Sequence, residues 1–417
     1  MKRISGDTTS RLLAAAFLFT VFTACSDSPT GPGPRVELRR LSEQEALLVE
    51  ADNLFGLKLF RATSEVEGET NVILSPLSVA MALGMTLNGA AGETRTGMET
   101  ALELSGLTEE EINASYRSLI KLLTAADPQV TFEIANSIWY RDSYPIATDF
   151  VGVNETYFDA VVQALDFSAA DAAGIINAWV SEKTHDRIEE IVDDPIDPLT
   201  MMFLINAIYF KGDWLTQFDP DDTADGTFHL ADGSTVQVPM MRLSDTEITC
   251  SSEAGWLAAD LAYGDSLFSM TLILPPAGTD LETFIAGLDR STWEAIIADL
   301  APRELDFFQM PTFELEYEVV LNQVLAGLGM ACAFSDGADF SRMNALGEST
   351  LHISEVRHKT WLKVDEVGTE AAAVTSVVMA EGSVGPSYVF DRPFILAIRE
   401  RSSGTILFIG KVMDPSG

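Results

Sequence analysis

The chain has 417 residues, 47% of them hydrophobic, enough for a large core in one domain or two. Sixty-three acidic residues against 26 basic ones leave a formal charge of -37, which repels nucleic acid, heparin-like polymers and anionic lipid surfaces. Charged residues are only 21% of the chain and apolar ones run throughout, so the composition is that of a folded protein.

Lys2, Arg3 and Arg11 flank an apolar run over 12–22 that is too short to span a bilayer unaided. Phe22-Thr23-Ala24-Cys25 resembles a bacterial lipoprotein cleavage box, with Phe22 where Leu or Val is usual. Residues 1–25 are expected to be a signal peptide with Cys25 as the lipidated residue; an ordinary signal peptide cut nearby is the alternative. Residues 26–40, which open SDSPTGPGP, read as a flexible tether. A single folded domain is expected over 41–417, exported as an outer-membrane lipoprotein or as a secreted protein.

Ser42 with Glu45 has the spacing of a capping box, and apolar residues recur at helical steps to Leu59. A short strand follows, ending at Ser75-Pro76, then an apolar helix over 80–89 that composition buries on all sides. A helix is expected over 107–123, a strand over 130–140, a helix over 175–192 with Trp179 and Ile188 inward, and a central strand over 202–210. Beyond Gly212 the pattern turns to strands over 227–238, 246–256 and 267–274, with turns at Asp232-Gly233 and Pro275-Pro276. A helix over 281–300 and strands over 305–315, 360–364, 388–390, 394–400 and 405–411 complete one α+β unit.

The search for catalytic chemistry finds little. Four histidines, no His-Glu-x-x-His, no Cys-x-x-Cys and no phosphate-binding glycine loop leave metal and cofactor readings without a basis. Gly264-Asp265-Ser266-Leu267 spells an esterase motif, but no histidine stands three residues after an aspartate, and the tetrapeptide reads as a turn. Cys250 and Cys332 do not make a disulfide framework; they read as two buried thiols, with pairing as the alternative. The chain is not expected to be an enzyme.

The segment from Asp365 to Phe394 is of another kind. As a strand, 369–376 would carry Thr369, Ala371, Ala373 and Thr375 on one face, all small and uncharged. Glu370, Ala372, Val374 and Ser376 would lie on the other. Glu366-Val367-Gly368-Thr369-Glu370-Ala371-Ala372-Ala373 resembles the hinge of a serpin reactive-centre loop. Further motifs agree in order: 71–98, Asn206 to Trp214, His358-Lys359, Phe390-Asp391-Arg392-Pro393-Phe394 and Phe408 to Val412.

The resemblance implies a serpin fold of about nine helices and three β-sheets with an exposed, insertable loop. It implies an inhibitor of serine, or cysteine, endopeptidases that acts as a suicide substrate; the alternative is a non-inhibitory binding protein whose loop is only cleaved. Ser75, Ser78, Asn206 and His358 match the family's shutter, and Trp214 its breach. Glu366 matches a residue that often pairs with a lysine, yet none stands near Met310-Pro311-Thr312. Two family spacings, sixteen residues after Glu366 and eight before Phe390, both place the scissile bond at Gly382-Ser383, with Met379, Ala380 and Glu381 as neighbouring alternatives. No Lys or Arg lies between Gly368 and Pro386, so the expected partner is a subtilisin-, elastase- or glutamate-specific-like protease and not a trypsin-like one. No heparin partner is expected, and the protein is expected to be a monomer.

Overall fold

Ser42 opens the first helix, α1 (Glu43–Glu67), as its spacing predicts. The Ser42 hydroxyl accepts from the Glu45 backbone and the Glu45 carboxylate from the Ser42 N–H, satisfying two amides that a helix start leaves open. The computed structural model describes residues 39–251, 255–369 and 386–416. Cys25, Glu370, Ala371, Ala372, Ala373, Thr375, Met379, Ala380, Glu381, Gly382 and Ser383 lie outside the described residues.

After α1 come β1 (Val72–Leu74), α2 (Pro76–Leu87), α3 (Gly92–Ala101), α4 (Glu109–Thr124), β2 (Val130–Arg141), α5 (Thr148–Phe158), β3 (Val161–Leu165), α6 (Ala172–Lys183) and β4 (Met202–Asp213). Helix α2 is buried on nearly every side, as its composition requires. Helix α6 stops short of the expected 192. His185 and Asp186 take left-handed backbone at φ 50° and 62°, which ends a right-handed helix. Ile188 is still buried, but from the segment after the helix.

The second half holds β5 (Ala224–His229), β6 (Thr235–Ser251), β7 (Leu257–Tyr263), β8 (Phe268–Leu274), α7 (Leu281–Ala286), α8 (Arg290–Asp299), β9 (Ala301–Pro311), β10 (Phe313–Val320), α9 (Asn322–Leu325), β11 (Arg357–Val364), β12 (Gly368–Thr369), β13 (Ser387–Val389), β14 (Phe394–Glu400) and β15 (Ile406–Val412). The helix expected over 281–300 is two, because Gly287 ends one and Asp289 caps the next. The strand expected over 305–315 is also two, which part at Thr312 into different sheets. Gly264 to Leu267 form the turn between β7 and β8, with Gly264 and Ser266 at φ 46° and 75°.

Hydrogen bonding among the described residues makes two sheets, not three. One has six strands, ordered β10-β11-β12-β4-β2-β3, and the other nine, along β1-β15-β14-β8-β7-β6-β9-β13 with β5 also on β6. Strand β6 holds this larger sheet together: it pairs with β5 over Thr235–Met240, with β9 over Met240–Cys250 and with β7 at Thr249–Ser251. The main core fills the space between the sheets and α1, α2 and α4. A smaller cluster of Trp139, Ile176, Val180 and Ile205 lies under α6 on the other face of the six-stranded sheet. Cys250 is buried and free as expected; Cys332 is free but only half-buried, beside the Thr94 hydroxyl.

Candidate functional site

Strands β4 and β11 run parallel at the centre of the six-stranded sheet, and β12 bridges them at one end. Thr369 stands opposite Val364 on one side and Gly212 on the other, and Gly368 stands opposite Asp213. Past that bridge β4 and β11 share no ladder among the described residues. Their facing edges, with α2 beneath, line a slot of about 690 Å³ that includes Asn206, Ile208, Phe210, His358, Thr360 and Leu362.

The bridged end is held from several sides. Trp214 donates its indole N–H to the Asp365 carbonyl and its backbone N–H to the Val367 carbonyl, both at 2.8 Å. Its ring stacks on Tyr263 at 4.4 Å. Tyr263 in turn meets the Thr369 hydroxyl at 2.6 Å, and burial raises its pKa. The Glu366 carboxylate is buried and accepts from the Thr223 hydroxyl at 2.7 Å, so a hydroxyl serves where the family often uses a lysine. Tyr263 and Thr223 were not picked out from sequence; neither carries a motif, and they reach the hinge from the end of β7 and from the turn before β5.

Gly368 is a glycine for a steric reason. A Cβ there would lie 2.2 Å from the Gly212 carbonyl oxygen and 2.7 Å from the Asp213 Cα, which are backbone and cannot turn aside. Gly368→Ala should push β12 out of the sheet. Hydrogen exchange should show the Gly368 and Thr369 amides opening about tenfold faster or more, the factor carried by one net hydrogen bond of about 1.4 kcal/mol. Wild-type protection there would contradict the steric argument.

The four expected shutter residues do come together beneath the slot. Ser75 caps α2 and donates its hydroxyl to the Leu407 carbonyl at 2.8 Å. Its backbone N–H donates to His358 Nε2 at 3.0 Å. Burial pushes the His358 pKa down to about 4, so the ring is neutral and Nε2 is free to accept. The Ser78 hydroxyl donates to the Asn206 carbonyl at 3.3 Å, and Asn206 Nδ2 to Asn136 Oδ1 at 2.8 Å. The start of α2 thus ties both edges of the slot, β11 through His358 and β4 through Asn206. Asn206 Oδ1 is buried without a hydrogen-bond partner, an arrangement that ordinarily costs about 1–3 kcal/mol.

The six-stranded sheet thus holds a slot between two parallel central strands, with a buried polar cluster beneath it and the Gly368 turn at one end. The family described as serpin (serine protease inhibitor) matches residues 50–415. The chain belongs to the serpin family. It is 34% identical over 375 residues to intracellular coagulation inhibitor 2 of Tachypleus tridentatus, covering 88% of this chain and 91% of that protein. It is 33% identical over 379 residues to the leukocyte elastase inhibitor of Bos taurus, covering 88% and 99%. The native state of the thermophilic serpin tengpin superposes with a TM-score of 0.78 at 30% identity, over 91% of this chain and 96% of that one.

Proposed function

We propose that the protein traps serine endopeptidases, with cysteine endopeptidases as a second class, by loop cleavage and strand insertion. The observation that carries this reading is the register of β12. Continued down the slot by the same pairing, it sets residue 371 between Leu362 and Phe210, 373 between Thr360 and Ile208, and 375 between His358 and Asn206. Those positions face the core, as Thr369 does at 1% exposure, and they are Ala371, Ala373 and Thr375. The Thr375 hydroxyl would reach the orphaned Asn206 Oδ1. Glu370, facing outward, would fall between Lys211 and Lys363.

The protease nucleophile attacks the carbonyl at Gly382-Ser383, or at a neighbour after Met379, Ala380 or Glu381; the C–N bond breaks, the amine of the next residue leaves, and an ester remains, or a thioester with a cysteine enzyme. Insertion then competes with hydrolysis of that ester, and the native fold is a state held away from a more stable one. The bait has no Lys or Arg, and its Met379 and Ala380 favour subtilisin- and elastase-like enzymes; the name of the bovine relative points the same way for elastase. Glu381 would serve a glutamate-specific enzyme. Signal cleavage and lipid attachment at Cys25 would place the trap outside the cell on its tether. The reaction uses no cofactor and the protein is a target, not a catalyst.

The test mixes the domain from Arg35 onward with subtilisin, elastase, a glutamate-specific protease and trypsin. A complex that survives denaturing gels with one of the first three, with a released peptide beginning near Ser383, is expected. Clean loop cleavage without a complex or a gain in heat stability would overturn the reading.

A further inference from the structure

The turn between β11 and β12 is held largely through its backbone. The Asp365 N–H donates to the Gly368 carbonyl at 3.0 Å. The carbonyls of Asp365, Glu366 and Val367 accept from Trp214 Nε1, Phe218 N–H and Trp214 N–H at 2.8, 2.9 and 2.8 Å. The N–H groups of Val367 and Gly368 both donate to one atom, Asp365 Oδ1, at 3.0 and 3.3 Å. Beside the Asp365–Gly368 backbone bond, the Asp365 side chain ties the turn to itself. It is buried, its Oδ2 has no hydrogen-bond partner, and Lys363 Nζ stands 3.6 Å from that oxygen.

A carboxylate left half-satisfied in a buried turn is a poor stability device, since a well-packed neutral group would avoid the desolvation. It is a good register device. Once a strand begins, a slip of one residue turns every side chain to the opposite face. Here a slip would direct Glu370, Ala372, Val374 and Ser376 toward the core and bury the Glu370 charge.

We infer that Asp365 is a positioning residue: its clamp on the Val367 and Gly368 amides fixes the register in which the cleaved loop enters the slot. The inference rests on the trapping reading above. Without the clamp, misregistered insertion stalls, the ester is hydrolysed, and the protein leaves as spent substrate.

Three variants separate this role from a structural one. Asp365→Asn keeps an acceptor at Oδ1 and removes the charge. Asp365→Glu keeps the charge and displaces the carboxylate by one methylene. Asp365→Ala removes both. The readout is the number of inhibitor molecules consumed per protease trapped, using whichever of the four test proteases the wild type traps, alongside the unfolding midpoint of each uncleaved variant. Asp365→Ala and Asp365→Glu should consume about tenfold more inhibitor, a change of 1.4 kcal/mol in partitioning, and Asp365→Asn should stay close to wild type. Wild-type consumption by the Ala and Glu variants would overturn the inference, as would a normal Glu variant beside a defective Asn one, which would point to the charge. If Asp365→Ala does not fold, the Asn and Glu pair still decides. A wild type that gains no heat stability on loop cleavage would overturn the trapping reading and this inference together, before any variant is compared.

Discussion

Ala371→Arg should turn the protein from a trap into a substrate. On strand insertion, the register of β12 carried on would set position 371 between Leu362 and Phe210, which are 2% and 6% exposed. No carboxylate faces that point on either strand, so an arginine would carry an unpaired guanidinium into the core. The effective penalty is several kcal/mol, and each 1.4 kcal/mol slows insertion about tenfold. Hydrolysis of the ester, which the substitution does not touch, then wins. Denaturing gels should show complete loop cleavage with no surviving complex, and the cleaved variant should melt near the temperature of the intact one. A variant that still trapped protease would mean that the strand does not enter in this register.

Acid should weaken the shutter, and the effect should vanish when His358 is replaced. The folded-state pKa of His358 is about 4 against about 6.5 for an unfolded histidine. The unfolded chain binds the extra proton first, so the contribution of neutral His358 is complete above about pH 6.5 and is lost as pH falls toward 4. The full difference is about 3 kcal/mol. The chemistry agrees, because a protonated ring has no lone pair left for the Ser75 N–H. Asp52 acts in the opposite sense. Burial raises its pKa to about 7, so it takes up a proton in the fold before it does when unfolded, and stability gains on that account as pH falls below 7. The wild-type melting curve mixes the two, so the comparison is with His358→Gln at matched pH and scan rate. Between pH 7 and 4 the gap in midpoint should close by roughly 4 °C, the equivalent of about 3 kcal/mol for a chain of this size. A gap that stays constant would show that His358 does not titrate in this window.

Much of this fold could be read from local signals. The Ser42–Glu45 box, the apolar run of β4 and the paired strands at the C-terminus follow from spacing and composition. The failures have physical causes. The expected helix over 175–192 overran because residues after Lys183 go on packing against the same sheet face without being helical. Strands β9 and β10 merged in sequence because nothing but the step at Thr312 marks a change of sheet. The three sheets came from the resemblance, and no local signal in β6 shows that it pairs with β5, β7 and β9 in one sheet. At the site, the shutter residues were visible through their motifs. Tyr263, Thr223 and the clamp made by Asp365 were not, since each matters only through what the fold sets beside it.

The pairing of β1 has a consequence for how the molecule is made. Val72, Ile73 and Leu74 take their ladder partners from Lys411, Gly410 and Ile409, and the Ser75 hydroxyl is received by Leu407. The strand that seats α2 and its ladder partner are therefore made far apart in time. During translation α2 and its ties to the slot have no fixed seat until β15 has been made. Such long-range closure is slow, and it leaves strand edges open to other chains while it waits. A message truncated before β15 would therefore yield an unassembled, aggregation-prone chain and not a weaker inhibitor.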